Sequence, residues 1–339
     1  MSGLQLLWFV LIGVLFAAFF FFEGFDFGVG MAVRTLAFNR SERNQLIGAI
    51  GPVWDGNEVW LITAGGAMFA SLPGWYASLF SGYYLILLLI LVGLIIRGVS
   101  FEFRSRSEES KKSIWEWTLT IGSTMVPFFF GILFMSLIQG MPLDENGNIV
   151  AAFTDFINPF SILGGVALTL LCYLHGLNYI ALKTTGIIRD RAKNYAQASY
   201  WILYLGLIVF FVLLYLKTDF FTVHPISTVL LSVLIVMLTI VANIAMVKGK
   251  ELLAFLSSGA TLVTIVGLLF SGLFPRVLIN SVVGGKDLLI VQASSSPYTL
   301  KIMSIIALTI LPFVLGYTIW TYYIFRKRIK ETDLVGYDK

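Results

Sequence analysis

The stretch GPVWDGNEVWLITAGGAMFA, residues 51–70, joins an acidic start flanked by tryptophan to an apolar continuation. Whether it crosses a membrane or ends as a soluble helix decides the reading of the whole chain. The 339 residues are 58% hydrophobic and only 12% charged, with a mean hydropathy of +0.88. That leaves too little polar surface to cover soluble domains, so the chain reads as an integral membrane protein. A hydrocarbon core of about 30 Å needs roughly 20 helical residues. Nine runs meet that length, approximately 6–33, 50–71, 77–99, 115–139, 159–182, 199–217, 225–247, 252–273 and 300–325. The second is weakened by its acidic start, and only VKGKE separates the seventh from the eighth. No alternation at barrel-strand spacing competes, so the expectation is an all-α polytopic fold. The first run lacks a basic leader and reads as a retained span. One cysteine, Cys172, excludes an internal disulfide.

Basic residues are concentrated in alternate loops. Arg34, Arg40 and Arg43 follow the first span, Arg104, Arg106, Lys111 and Lys112 the third, and Lys183, Arg189, Arg191 and Lys193 the fifth. Lys248 and Lys250 follow the seventh, and Arg326, Lys327, Arg328, Lys330 and Lys339 the ninth, whereas the alternate loops hold Lys217, Arg276 and Lys286. The positive-inside rule then places the N-terminus outside and the C-terminus in the cytoplasm. Glu23 and Asp26 fall toward the cytoplasmic end of the first span, Asp55 and Glu58 in the first turns of the second. A spacing of three sets each pair on one helical face. Arg97, with Glu102 and Arg104 beyond it, reaches the same layer. Two readings compete for this cluster. One is a structural pair between Arg97 and a carboxylate, with the other acids reaching headgroup water. The other is a proton or ion entrance, because four carboxylates facing one arginine exceed what a neutral pair requires, and buried carboxylates are costly.

Other chemistries are poorly supported. GFDFGVG follows no strand, GGAMFA lies on an apolar helix, and no Walker A lysine is present, so nucleotide binding is not expected. The basic clusters read as topology, not as nucleic-acid sites. His175 and His224 fall toward opposite sides and cannot readily share an iron, and no Cys/His set has metal-ligand spacing. His175, near Cys172 and Asn178, is a weak candidate for a heme or quinone contact beside a simpler packing role. Gly24, Gly28, Gly30, Gly65 and Gly66 are expected to admit close helix approach. Trp54, Trp60, Trp75, Trp115 and Trp117 read mainly as interfacial anchors. The loop 274–298 is too weakly patterned to predict a strand.

The blocks EGFDFGVG (23–30), GPVWDGNEVWLITAGGAMFA (51–70), RGVSFEFR (97–104) and SSSPYTLKIM (294–303) closely resemble subunit II of the cytochrome bd-type quinol oxidases, over essentially the whole chain. The resemblance implies one membrane domain of nine helices, as two four-helix bundles (about 6–139 and 159–273) and a peripheral helix (about 300–325). It implies pairing with a similarly folded subunit I that carries the quinol site, two b-type hemes and either a d-type or a third b-type heme. Together they would reduce oxygen with electrons from quinol, taking protons from the cytoplasm. No cofactor is expected on this chain alone beyond a structural quinone or lipid, and a small accessory subunit is a further expected partner. By the same resemblance Asp55 occupies a proton-entrance position, Asp26 matches the first-helix aspartate, and Arg97 and Glu102 form a polar rim. Glu58 stands where some relatives have Gln. A secondary ion-coupled transporter, which predicts spans broken near the midplane, and a purely structural subunit are the alternatives.

Overall fold

The computed structural model describes residues 1–330; Lys339, counted above among the basic residues, lies outside them. Sixteen elements follow in order: α1 (Gly3–Thr35), α2 (Arg40–Ile50), α3 (Trp54–Ser71), α4 (Pro73–Gly82), α5 (Tyr84–Arg106), α6 (Glu109–Gln139), α7 (Phe153–Phe156), α8 (Pro159–Lys183), α9 (Ile187–Lys217), α10 (Phe220–Val223), α11 (Pro225–Val247), α12 (Glu251–Leu273), β1 (Arg276–Leu278), β2 (Leu288–Leu289), α13 (Ile290–Ala293) and α14 (Pro297–Ile324). Local chemistry sets the helix starts. Ser2 and Gln5 form a capping box on α1, Asn158 accepts from Phe160 and Ser161 ahead of Pro159, and Ser296 caps α14 ahead of Pro297. Gly249, at φ 69°, makes the turn that lets α12 fold back on α11.

Among the described residues eight helices, α1, α5, α6, α8, α9, α11, α12 and α14, are long and apolar enough to cross a membrane. The second expected span, 50–71, corresponds to α3, whose Asp55, Asn57 and Glu58 lower its hydropathy although its 18 residues extend about 27 Å at about 1.5 Å per residue. The third expected span is displaced. Instead of one run over 77–99, α4 stops at Gly82, Tyr83 leaves helical geometry, and α5 continues to Arg106. Arg97 is therefore nine residues from the helix end, about 13 Å inward. Apolarity alone could not locate that break, because residues on both sides are equally hydrophobic.

The centre is made by α1, α6, α8 and α12, which pack on one another; α3 lies on α1, α5 on α6, α9 on α8 and α11, and α11 on α12. At the α1–α8 crossing, a Cβ on Gly28 would come within 2.2 Å of the Cys172 carbonyl and 2.6 Å of the Gly176 Cα. The two backbones can touch only because both residues are glycine. Gly65 and Gly66 differ from expectation: nothing lies within 4 Å of their Cβ positions, so they admit no close approach within this chain. Trp60 and Trp75 are likewise core residues, not interfacial anchors. In the loop 274–298 β1 and β2 pair antiparallel, with Arg276 opposite Leu289 and Leu278 opposite Leu288. By contrast, α14 packs lightly, touching α1 and α3.

Candidate functional site

The acidic positions of α1 and α3 face each other across the basic-residue end of the molecule, with Arg97 of α5 between them. Glu23, Asp26 and Arg97 are each 0% exposed. Arg97 Nη1 pairs with Glu23 Oε1 and lies 3.6 Å from Glu58 Oε2. Its guanidinium is walled by the rings of Phe27, Trp54 and Phe101, at 5.0, 5.9 and 5.7 Å from their centroids. Such stacking suits a delocalised cation stripped of water.

Exposure decreases along the acids. Asp55, in the first turn of α3, is exposed; the Glu58 side chain is 24% exposed; Glu23 and Asp26 are wholly enclosed. The spacing of three aligns Asp55 with Glu58 on one face of α3 and Glu23 with Asp26 on one face of α1. Among the described residues, and apart from the Arg97–Glu23 ion pair, both oxygens of Glu23, Asp26 Oδ1 and the three guanidinium nitrogens of Arg97 have no hydrogen-bond partner of good geometry. In a medium where each unmet polar atom costs roughly 1–3 kcal/mol, such a concentration marks a site with hydrogen-bonding capacity in reserve.

Two further residues complete the site, and neither stood out in the sequence. Asn57, buried on α3, donates from Nδ2 to Asp26 Oδ2 at 2.7 Å and to the Phe22 carbonyl at 3.4 Å. Tyr322 of α14 donates its hydroxyl to Asn57 Oδ1 at 2.8 Å. Asn57 sits between the two acids of WDGNEVW, and that position was the only available signal. Tyr322 belongs to an aromatic C-terminal run in which nothing distinguishes it.

Glu102 stays outside the enclosed part of the cluster and, of its acids, reaches only Asp55, through its charge. It is exposed and pairs with Arg106 at 3.3 Å. Arg97 is likewise no rim residue but the buried centre. His175 hydrogen-bonds Ser258 through Nδ1 at 2.8 Å and the Phe21 carbonyl through Nε2 at 3.0 Å, with its ring stacked on Phe255 at 4.7 Å. Both ring nitrogens are engaged, so His175 does not fit as an iron ligand. His224 hydrogen-bonds the Phe274 carbonyl. Among the described residues no group of three or more His, Cys, Asp and Glu side chains could hold a metal.

Comparison with known proteins bears on this geometry. The family described as cytochrome bd terminal oxidase subunit II matches residues 4–325. The chain is 47% identical over 338 residues to the cytochrome bd ubiquinol oxidase subunit 2 of Bacillus subtilis (strain 168), covering 99% of this chain and 100% of that one. It is 32% identical over 367 residues to the cytochrome bd-I ubiquinol oxidase subunit 2 of Escherichia coli (strain K12), covering 98% and 96%. A chain in the structure of bd oxidase from Geobacillus thermodenitrificans superposes with a TM-score of 0.72 at 14% identity, covering 95% of this chain and 97% of that one. That likeness speaks to fold.

Proposed function

Because the chain belongs to the cytochrome bd terminal oxidase subunit II family, we propose that its buried acid cluster takes up protons for a quinol:oxygen oxidoreductase whose hemes reside on subunit I. The chain is subunit II of such an oxidase and partners the heme-bearing subunit. In this reading the partner carries two b-type hemes and a d-type or third b-type heme. Subunit II alone does not turn over, and a small accessory subunit, a lipid or a structural quinone can join the complex. The helix contacts support two four-helix bundles, α1 with α3, α5 and α6, and α8 with α9, α11 and α12, with α14 peripheral. The loop charges support a cytoplasmic C-terminus and put Asp55 at the cytoplasmic surface.

One observation carries the proposal: the graded burial from exposed Asp55 through Glu58 to enclosed Glu23 and Asp26, ending on the Asn57–Tyr322 hydrogen bonds. Asp55 collects a proton from water, Glu58 relays it past the Arg97 field, and Asp26 holds it at a fixed distance from Asn57. A neutral structural pair would need Glu23 alone, yet Glu58 and Asp26 are also turned toward Arg97 and Asn57. A coupled transporter is disfavoured because the charged helices α1 and α5 run unbroken.

Asp26→Asn and Asp55→Asn, made in the assembled complex, test the role. Asn keeps shape but cannot titrate. Asp26→Asn is expected to lower quinol-dependent oxygen consumption on the order of a hundred-fold where proton delivery limits the rate. Asp55→Asn has a smaller effect, since water can bypass an exposed carboxylate. Heme content per complex separates delivery from assembly. Unchanged turnover in a fully hemed Asp26→Asn complex sinks the proposal.

A further inference from the structure

Away from that site, three guanidinium groups converge on one carboxylate where α1, α2, α5 and α6 meet. Glu116 Oε2 lies 3.0 Å from Arg34 Nη2 and 3.4 Å from Arg43 Nη1, and Glu116 Oε1 accepts from Arg104 Nε at 3.2 Å and Nη2 at 3.0 Å. Their other partners are neutral: the Ser113 carbonyl for Arg34, the Phe38 carbonyl for Arg43 and Asn44 Oδ1 for Arg104. Nearby carboxylates serve other cations. Glu109 pairs with Arg40 and Lys112, and Glu42 with Arg191. Glu116 is buried, so the cluster holds more positive charge than its one carboxylate can match in a partly desolvated place. The Nε atoms of Arg34 and Arg43 are buried and have no hydrogen-bond partner among the described residues.

The surroundings indicate what would complete it. Arg34 lies over the ring of Trp117 at 5.1 Å. Trp117 shares one face of α6 with Ile114 and Ile121, at spacings of three and four, and all three are exposed. A desolvated arginine cluster therefore adjoins an apolar, outward stripe at a helix end. Guanidinium forks match the paired oxygens of a phosphate, and an anion would supply the missing charge and accept from the open Nε groups.

We propose that Arg34, Arg43 and Arg104 form a phosphate-anion site, filled either by the phosphodiester of an anionic phospholipid whose chains lie along Ile114, Trp117 and Ile121 or by phosphate from solution. Native mass spectrometry of the assembled complex with dioleoyl-phosphatidylglycerol or dioleoyl-phosphatidylcholine tests the first source, and thermal stabilisation by inorganic phosphate the second. Arg43→Gln is expected to reduce phosphatidylglycerol retention relative to phosphatidylcholine by about five-fold, one surface cation's worth. Glu116→Gln should increase that retention, and Lys111→Gln, an exposed charge beside the site, should leave it unchanged. If Arg43→Gln does not assemble, Arg43→Lys, which keeps the charge without the fork, should still lower retention. Stabilisation by phosphate with no lipid preference assigns the site to a solution anion; lipid preference persisting in phosphate buffer assigns it to the headgroup. Equal losses for Arg43→Gln and Lys111→Gln, a loss in Glu116→Gln, an unchanged Arg43→Lys, or binding of neither probe overturns the site.

Discussion

Arg97 and Glu23 are wholly enclosed and paired with each other, so removing either leaves the other without its partner in a buried place. Removing the arginine strands a carboxylate beside Asp26, a change that costs about 3–5 kcal/mol when one partner of a buried pair is lost. Arg97→Leu should therefore lower the thermal midpoint of the assembled complex sharply. Adding Glu23→Gln to it should recover part of the loss, giving a double-mutant cycle far from additive. Strict additivity would show that the two are not coupled. Tyr322 acts differently. Its hydroxyl donates to Asn57 Oδ1, which fixes the amide so that its NH2 faces Asp26. Tyr322→Phe removes about 1 kcal/mol of hydrogen bonding and frees the amide to turn. Turnover and its pH profile should change at full heme content, while Glu108→Gln, an exposed residue paired with Lys111, should leave both as they were. The WDGNEVW acids were legible because charges are conspicuous in an apolar chain. Asn57 and Tyr322 were not, because a polar residue shows its role only through the partner that tertiary packing brings to it.

Among the elements, legibility followed contrast. The loop VKGKE separates α11 from α12, and the caps at Asn158 and Ser296 start α8 and α14, so these helix boundaries fall where the apolar runs are interrupted. The break at Tyr83 has no such contrast, which is why a span over 77–99 was expected and Arg97 was placed at a rim it does not occupy. The hairpin β1–β2 escaped for a related reason: Asp219 and Asp287 hold Arg276, and the first of these lies far off in sequence. The short helix α2 offers a pH test. Burial opposes charge on Glu42, but hydrogen bonds from Arg191 and from the Phe38 and Asn39 region hold its pKa below the ordinary carboxylate value. A depressed pKa means that the ionised form stabilises the fold above the unfolded value and that the benefit fades as pH falls through the folded one. Thermal midpoints of wild type and Glu42→Gln should thus differ near neutrality and converge in acid below the usual carboxylate range. A difference that grew on acidification would contradict this.

The molecule as a whole sorts its charge by end, and the positive-inside rule makes the basic end the one we propose to face the cytoplasm. The ends of α1, α5 and α8 and the start of α9 carry Arg34, Arg104, Arg106, Lys183, Arg189, Arg191 and Lys193, and the residues after α14 add Arg326, Lys327 and Arg328. The opposite end carries Asp144, Glu145 and Asp155 in the loop around α7, with Arg276 there already bound to Asp219. Arg328 pairs with Glu251, and the Ile329 amide donates to the Lys183 carbonyl at 2.8 Å, so the segment after α14 is tied to the basic end. Under the proposed topology, the acid cluster and residues 325–330 would both lie on the side that supplies protons. Cysteine labelling decides it cleanly, because the single native thiol, Cys172, is buried. Glu145→Cys and Lys327→Cys both replace exposed side chains. In intact cells a membrane-impermeant maleimide should modify the first and spare the second until the membrane is opened. The reverse pattern would put Asp55 on the outer face, where it could not draw protons from the cytoplasm, and would remove the proposed uptake route along with the topology.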